Sequence, residues 1–228
     1  KLKINFKYDK SPVTKIDTEI EKKLRSHIKK QYPEHGIYGE EFANEKLGSP
    51  YVWVIDPIDG TKNFINGNGS YGTLISLCKD GNPIFGIINS PDLKKRWIGI
   101  KDNGAYCNGK KLKKSSLNLS LKDLFFSTSG MTAFKAINKN KKYNALAKKT
   151  KYVSLGGDCV QYGLLAEKRI PLIVESFLKP FDYLPLVNII EESGGIITDW
   201  KGKPLNFKSD GDVVACVSKK AHKQFLKI

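Results

Sequence analysis

The sequence predicts an α/β fold with an α+β amino-terminal half and an α/β carboxyl-terminal half. Three observations predict it: an amphipathic helix near the start, a series of short strands up to about residue 118, and strands alternating with helices beyond that point. The lysine-rich stretch NGKKLKKSSLNLS marks the change. We therefore predict two halves, residues 1–118 and 119–228.

The first predicted element is an amphipathic helix. Thr14 and Asp17 have the Thr-x-x-acid spacing of a helix start, which places Asp17 in the first turn. Apolar residues then recur at every fourth position, at Ile16, Ile20, Leu24 and Ile28. The helix is predicted to end near Tyr32 and Pro33.

Short strands follow the helix. Residues 51–55, 72–79, 83–89 and 96–100 are apolar or β-branched, and turn pairs such as Asp80-Gly81 separate them, which predicts a mostly antiparallel sheet. Later strands are predicted at 124–128, 152–155, 172–176, 196–198 and 213–216. Helices at 133–149, from 159 onward and at 183–193 alternate with them, as in α/β proteins.

Composition indicates a globular protein of the cytoplasm. Hydrophobic residues make up 40% of the 228 positions, and no run approaches the ~18 apolar residues of a membrane span. The net charge of +16 attracts phosphates and nucleic acids. Because the lysine clusters at 110–114 and 139–142 lack aromatic side chains for stacking, we favour a solvated basic surface over a nucleic-acid site.

The four cysteines and three histidines are scattered along the chain without the spacing of a metal site. We expect reduced thiols and no metal bound by sulfur. Any catalysis therefore has to use carboxylates.

The stretch WVIDPIDGTKNF carries the strongest chemical signal. A buried strand would deliver Asp56 and Asp59 to its carboxyl end. Two carboxylates so close require a cation, and hard oxygen ligands, including the Ile58 carbonyl, suit Mg²⁺. The amides of Gly60 and Thr61, at the start of a following helix, would cradle an anion, so the stretch points to phosphoryl transfer. The alternative is that Asp-Pro and Asp-Gly only form turns.

Two further acids occur in comparable settings. Glu40 follows a glycine in HGIYGEEF, and Asp182 follows Pro180 at the predicted N-cap of an apolar helix. Together with the two aspartates of the strand, they supply enough carboxylate for two Mg²⁺ ions. Such a pair can clamp the attacking water and the leaving oxygen of an in-line displacement.

These residues carry a family resemblance. GEE, DPIDGTKNF and KPFDYLPLVNIIEESGGIITDWKGKP resemble, in the same order, the inositol monophosphatase family of Mg²⁺-dependent, lithium-sensitive phosphomonoesterases. The match runs from about Ser11 to Cys216. The resemblance implies a layered αβαβα sandwich, a phosphate monoester as the substrate and a homodimer, with no membrane partner.

The resemblance also implies a role for each matching residue. The implied metal ligands are Glu40, Asp56, the Ile58 carbonyl, Asp59 and Asp182. Gly60 and Thr61 would hold the phosphate, and Thr61 with Asp17 would orient the attacking water. Glu40 is included with Asp17 and Thr61 among the catalytic residues. The water would attack the phosphate directly, without a covalent enzyme intermediate.

Finer features point to one branch of the family. YGTLISL, SPDLKKRWIG, GGDC and ESFLKPFDY resemble histidinol-phosphate phosphatases of bacteria and plants more than typical inositol phosphatases. The resemblance implies that Asp158 and Glu175 face the non-phosphate end of the substrate, where carboxylates complement the cationic groups of L-histidinol phosphate. A helix cap is an equally good reading of Asp158.

Three alternatives stay open. Inositol 1-phosphatase or broad-specificity phosphatase activity needs the same metal site, whereas 3′-phosphoadenosine 5′-phosphate hydrolysis usually comes with longer insertions. A protein of another class would use this fold to bind RNA or the transcription machinery through its lysines. The intact set of metal carboxylates argues against a purely binding role.

Overall fold

Two β-sheets and the helices around them form the fold. A computed structural model describes residues 4–8, 12–135 and 137–228, so Ser11 and Ala136 lie outside the described residues although the family match and a predicted helix include them. The larger sheet has seven strands. They are β3 (Gly36–Gly39), β4 (Tyr51–Asp59), β5 (Gly72–Lys79), β6 (Asn82–Ser90), β7 (Lys95–Ile100), β8 (Gly104–Cys107) and β9 (Lys110–Lys111).

This larger sheet is antiparallel except for β3, which pairs in parallel with β4. Its strands follow one another in chain order. Asp80 and Gly81 both have positive φ, 48° and 81°, as a two-residue hairpin between β5 and β6 requires. The predicted antiparallel sheet is confirmed.

The smaller sheet has five strands in the order β11-β10-β12-β14-β13 and is mixed, with β10 parallel to both of its neighbours. They are β10 (Phe126–Thr128), β11 (Val153–Leu155), β12 (Leu172–Glu175), β13 (Ile196–Asp199) and β14 (Val213–Cys216). Both faces of the sheet are covered, since Leu172 and Val174 join one core cluster while Ile173 joins another. This explains the continuous apolar run of β12.

Helices flank and separate the two sheets. They are α1 (Lys15–Gln31), α2 (Thr61–Asn66), α3 (Ile137–Ala147), α4 (Asp158–Ala166), α5 (Pro180–Glu192) and α6 (Lys219–Leu226). α1 packs on β4, α4 and α5 lie between the sheets, and α3 and α6 cover the outer face of the smaller sheet. The layers therefore follow the implied αβαβα order. Among the described residues, no helix is both long and apolar enough to cross a membrane.

The start of α1 is the one that the sequence predicts. The Thr14 hydroxyl accepts the backbone N–H of Ile16, and the Asp17 carboxylate accepts the N–H of Thr14 at 2.8 Å. This reciprocal capping satisfies backbone donors that have no partner inside the helix. It also fixes the buried side chain of Asp17 in the first turn.

Helix α5 lies directly on the larger sheet. A Cβ atom at Gly86 would come within 2.0 Å of the Pro185 carbonyl oxygen, and one at Gly99 within 2.2 Å of the Ile189 nitrogen. Only glycine allows this approach of helix and strand backbones. The core here includes residues from both sides of position 118, and the division at that position stays a prediction.

Five short strands are not predicted from the sequence. They are β1 (Ile4–Phe6), β2 (Pro12–Thr14), β3, β8 and β9, and each contains Gly, Pro, Asn or Lys, which are depleted in strands. The helix predicted at 133–149 is instead a 3₁₀ turn at Met131–Phe134 followed by α3. Helix α5 starts at Pro180, three residues before the predicted start, because proline suits the first helical position.

Candidate active site

Three of the predicted ligands meet at one point. Carboxylate oxygens of Asp56, Asp59 and Asp182 lie within 4.8 Å of one another. Strand β4 extends through both of its aspartates, four residues beyond the predicted strand, and its pairing with β5 is irregular between Asp56 and Asp59. A bulge of this kind re-aims side chains, which allows two acids on one strand to approach the same point.

Asp182 comes from the first turn of α5. The predicted N-cap position is wrong: Lys179 is the N-cap, Pro180 is the first helical residue and Asp182 is the third. From there its carboxylate accepts the N–H of Lys179 at 2.6 Å. An acid in the first turn also interacts favourably with the helix dipole.

Asp59 is anchored by a second helix. The N–H of Cys159, in the first turn of α4, donates to Asp59 Oδ2 at 2.5 Å. Helices from the carboxyl-terminal half thus meet the acids of β4 from two directions. The carboxylate cluster therefore lies between strand β4 and the first turns of α4 and α5.

Burial and the repulsion between the carboxylates disfavour their ionised form, which a bound cation would stabilise. Burial first, and the nearby carboxylates second, raise the pKa of Asp56 and of Asp59 well above the usual range. Burial also raises the pKa of Asp182, to about 7. Asp56 is only 2% exposed, and its Oδ1 has no hydrogen-bond partner among the described residues. Hard oxygens in this state fit Mg²⁺.

Glu40 lies beside this cluster and already attracts a positive charge. Its carboxylate contributes to the raised pKa of Asp56. The ammonium of Lys7 lies 2.7 Å from a carboxylate oxygen of Glu40 and 2.7 Å from one of Glu41. The sequence carries no signal for Lys7, because it belongs to the segment between two strands too short to predict.

A buried ion pair on α1 supports the loop that carries Glu40. Glu21 accepts the N–H groups of Glu41 and Phe42 at 2.8 and 3.3 Å, and Arg25 Nε donates to Glu21 at 2.8 Å. A Cβ atom at Gly39 would come within 2.0 Å of Glu21 Oε1. The glycine of GEE is therefore required for the carboxylate of α1 to reach this loop. A helical acid and base four residues apart is the signal that could have found the pair.

The predicted phosphate cradle stands at the start of α2. Gly60 has φ 82°, and a Cβ atom there would come within 2.8 Å of the Ser70 carbonyl oxygen. The Thr61 hydroxyl donates to the Ile58 carbonyl at 2.9 Å. Phosphate binding by Gly60 and Thr61 stays a prediction.

The hydrogen bond implied between Asp17 and Thr61 is not formed in this structure. Thr61 donates to a backbone carbonyl three residues before it, and Asp17 Oδ2 accepts the hydroxyl of Thr14 at 2.5 Å. Both side chains bond to groups three residues away in the chain, which the backbone already holds within reach. Asp17 Oδ1 is buried without a hydrogen-bond partner among the described residues, so it can still accept a hydrogen bond.

Asp158 stands next to the predicted cradle. It is the first residue of α4, whose N-cap is Gly157, so the reading as a cap is wrong. Its Oδ2 accepts the Asn63 amide at 2.5 Å and would lie 3.0 Å from a Cβ atom at Gly60. Burial raises the pKa of Asp158, and its charge in turn raises that of Asp59.

Glu175 is close to the cluster but is held by the protein. It is 5% exposed and accepts hydrogen bonds from the Ser129 N–H at 2.6 Å, Gln161 Nε2 at 3.0 Å and the Tyr162 hydroxyl at 3.2 Å. Its pKa is raised, chiefly by burial. The sequence does not reveal its three donors, because they come from two other segments of the chain.

A cluster of buried carboxylates suited to Mg²⁺, set between the layers of an αβαβα sandwich, defines a metal-dependent phosphoric monoester hydrolase. The model of the inositol monophosphatase family matches residues 2–228. The chain belongs to the inositol monophosphatase family.

Individual relatives agree with this assignment. The chain is 41% identical over 218 residues to "Bifunctional phosphatase IMPL2, chloroplastic" of Arabidopsis thaliana, a match that covers 94% of this chain and 62% of that protein. It thus spans less than two thirds of the plant protein. It is 31% identical to a histidinol-phosphatase of Chlorobaculum parvum, covering 94% of this chain and 82% of the relative. An inositol monophosphatase structure from Zymomonas mobilis superposes with a TM-score of 0.88 at 38% identity, covering 100% and 87% of the two chains.

Replacing Asp56 by Asn should abolish activity and leave the fold intact. Loss of a charged ligand should lower Mg²⁺-dependent turnover of a phosphate monoester more than the roughly 100-fold loss typical when groups outside the ligand shell are changed. The melting temperature of the chelator-treated variant should equal or exceed that of the wild type, because one like charge is gone. Asp80→Asn, in a hairpin turn, is the control. Full activity of the Asp56 variant would contradict its role as a ligand.

The stability of the metal-free protein should fall as pH rises from about 4 to about 7. The pKa of Asp182 is about 7 in the folded protein, above the roughly 3.9 of an unfolded chain. The folded state therefore binds more protons in this window, and ionisation disfavours it. Urea unfolding at a series of pH values measures the slope, which excess Mg²⁺ and the Asp182→Asn variant should both reduce. Identical slopes for wild type and variant would be the contrary result.

Proposed function

We propose that the chain is a Mg²⁺-dependent phosphomonoesterase that hydrolyses L-histidinol phosphate to histidinol and phosphate. The observation that carries the proposal is the excess of acid at the site, where Asp158 and Glu175 both raise the pKa of Asp59. The similarity to a histidinol-phosphatase over 94% of the chain supports it. We also propose a homodimer, as the resemblance implies, and a cytoplasmic location, as the composition indicates.

The charge of the site favours a cationic substrate. Four acids, the three clustered aspartates and Glu40, form a set that two divalent cations can balance. Asp158 and Glu175 add negative charge beyond that set. Histidinol phosphate carries an ammonium and an imidazole opposite its phosphate, whereas inositol phosphate carries no cation. Complementary charge therefore separates the two substrates.

The two extra acids would act in different ways. The oxygens of Glu175 are held by three protein donors, so its effect on a substrate cation would be exerted through its charge. Asp158 accepts a hydrogen bond on Oδ2 from Asn63. Burial raises its pKa, and hydrogen bonding by the Ser129 side chain lowers that pKa against the effect of burial. Its carboxylate would contact the ammonium directly.

The chain's own residues would position the reacting groups. The metal would be held by Asp56, Asp59, Asp182, Glu40 and the Ile58 carbonyl. When bound, it supplies a Lewis acid that polarises the phosphate and lowers the pKa of a water molecule. Gly60 and Thr61 would orient the phosphate through their backbone N–H groups. The unpartnered Oδ1 of Asp17 would accept a hydrogen bond from the attacking water or from the Thr61 hydroxyl.

Inositol 1-phosphate is the second candidate substrate. The Zymomonas mobilis neighbour, at 38% identity, is an inositol monophosphatase. Glu175 is also buried and accepts three hydrogen bonds from the protein, so it offers no evident direct contact to a cation. The same metal site would serve either substrate.

Phosphate release from L-histidinol phosphate, inositol 1-phosphate and 3′-phosphoadenosine 5′-phosphate, with Mg²⁺ and with chelator, tests the proposal. We expect Mg²⁺-dependent preference for histidinol phosphate. Asp158→Asn should reduce that preference about tenfold, the effect of one charge-assisted hydrogen bond. Exposed Asp102→Asn serves as the control. Equal losses on all substrates would remove the substrate assignment while leaving the metal site in place.

A further inference from the structure

A pocket lies at the opposite end of α4 from the carboxylate cluster. Its volume is about 620 Å³, and it is formed by the ends of β7, β8 and β9 and the carboxyl end of α4. Four lysines and one carboxylate line it: Lys95, Lys110, Lys113, Lys168 and Glu167. The first turn of α4 contacts Asp59, so the nine-residue helix separates the two places by about 13 Å.

The only carboxylate that lines this pocket among the described residues, that of Glu167, already pairs with Lys95. Lys95 Nζ lies 2.6 and 2.8 Å from the two oxygens of Glu167, and the indole N–H of Trp97 donates to the same carboxylate at 2.9 Å. Glu167 therefore balances Lys95. The remaining three lysines receive no compensating charge from the pocket.

Lys168 is the least compensated of these cations. It has φ 66° immediately after the C-cap of α4, a conformation in which glycine is the usual residue. Its half-buried ammonium donates to the Ser193 carbonyl at 2.8 Å and pairs with no carboxylate in the described part of the chain. Burial lowers the pKa of Lys168. A strained backbone thus presents a cation that lacks a counter-ion.

Lys110 and Lys113 complete the group. Both are exposed, and neither takes part in an ion pair within residues 4–8, 12–135 and 137–228. Ser115, whose N–H donates to the same Ser193 carbonyl at 3.1 Å, adds a hydroxyl to the wall. Three lysines without a paired carboxylate within the described ranges, and Ser115, therefore line a concavity whose volume is typical of small-molecule sites.

We propose that this pocket binds a small organic anion carrying two or more phosphate or carboxylate groups. Such a ligand supplies the counter-charge that Lys168 lacks and spans to Lys110 and Lys113 at the rim. Lysine ammoniums act as point charges, which suits both phosphate and carboxylate oxygens. The site is separate from the carboxylate cluster and does not depend on the substrate proposed above.

Calorimetric titration of the full chain, dialysed against chelator at low ionic strength, tests this proposal with pyrophosphate and with citrate as probes. Without metal, the acid-rich cluster repels anions, so binding reports on other sites. We expect one-to-one binding of at least one probe. Pyrophosphate alone would identify a phosphate site, and citrate alone a carboxylate site.

Variants locate the binding. Lys168→Gly should weaken binding about tenfold or more while leaving the melting temperature equal or higher, because glycine relieves the left-handed backbone. Lys46→Gly is its matched control, an exposed lysine with φ 45°. Lys110→Ala should weaken binding, whereas Lys111→Ala, whose ammonium lies over the Tyr106 ring at 5.8 Å, should not. Absence of one-to-one binding, or equal losses in the control variants, would overturn the proposal.

Discussion

The structure depends on holding like charges together in a buried place. Asp56 is buried and Asp59 and Asp182 are half-buried beside it, and the charges of Asp59 and Asp182 add to the burial that raises the pKa of Asp56. Such a cluster destabilises the fold unless a cation joins it. The same repulsion provides binding energy for a divalent ion, so the cost to the empty protein and the affinity for metal have one origin.

The rest of the chain serves to bring these acids together. A bulge in β4 orients Asp56 and Asp59 toward one point. The first turn of α5 supplies Asp182, and the first turn of α4 supplies an N–H that binds Asp59. Close backbone contacts at Gly86 and Gly99 hold α5 against the larger sheet. The buried pair of Glu21 and Arg25 organises the neighbouring loop. Because β4, α4 and α5 all contribute, the site depends on the packing of these helices against the larger sheet.

The carboxylates could be predicted because their signals are local. Asp56 and Asp59 follow a strand pattern within four residues, and Asp182 follows a helix-starting proline. The groups that hold these carboxylates could not be predicted, because tertiary packing brings them from distant parts of the chain. Lys7 lies 33 residues before Glu40, and Cys159, whose N–H binds Asp59, lies 100 residues after it. The hydrogen bond expected between Asp17 and Thr61 is not formed because each side chain has a partner three residues away, and the short strands β1, β2, β3, β8 and β9 were missed.

Anomalous diffraction from crystals soaked in Mn²⁺, an oxygen-seeking ion of preferences similar to Mg²⁺, tests the central claim most directly. The predicted result is at least one strong anomalous peak within about 2.5 Å of carboxylate oxygens from Asp56, Asp59 and Asp182. A map with these three carboxylates free of metal at saturating Mn²⁺ would show that the cluster is not a cation site, and the proposed chemistry would fall with it.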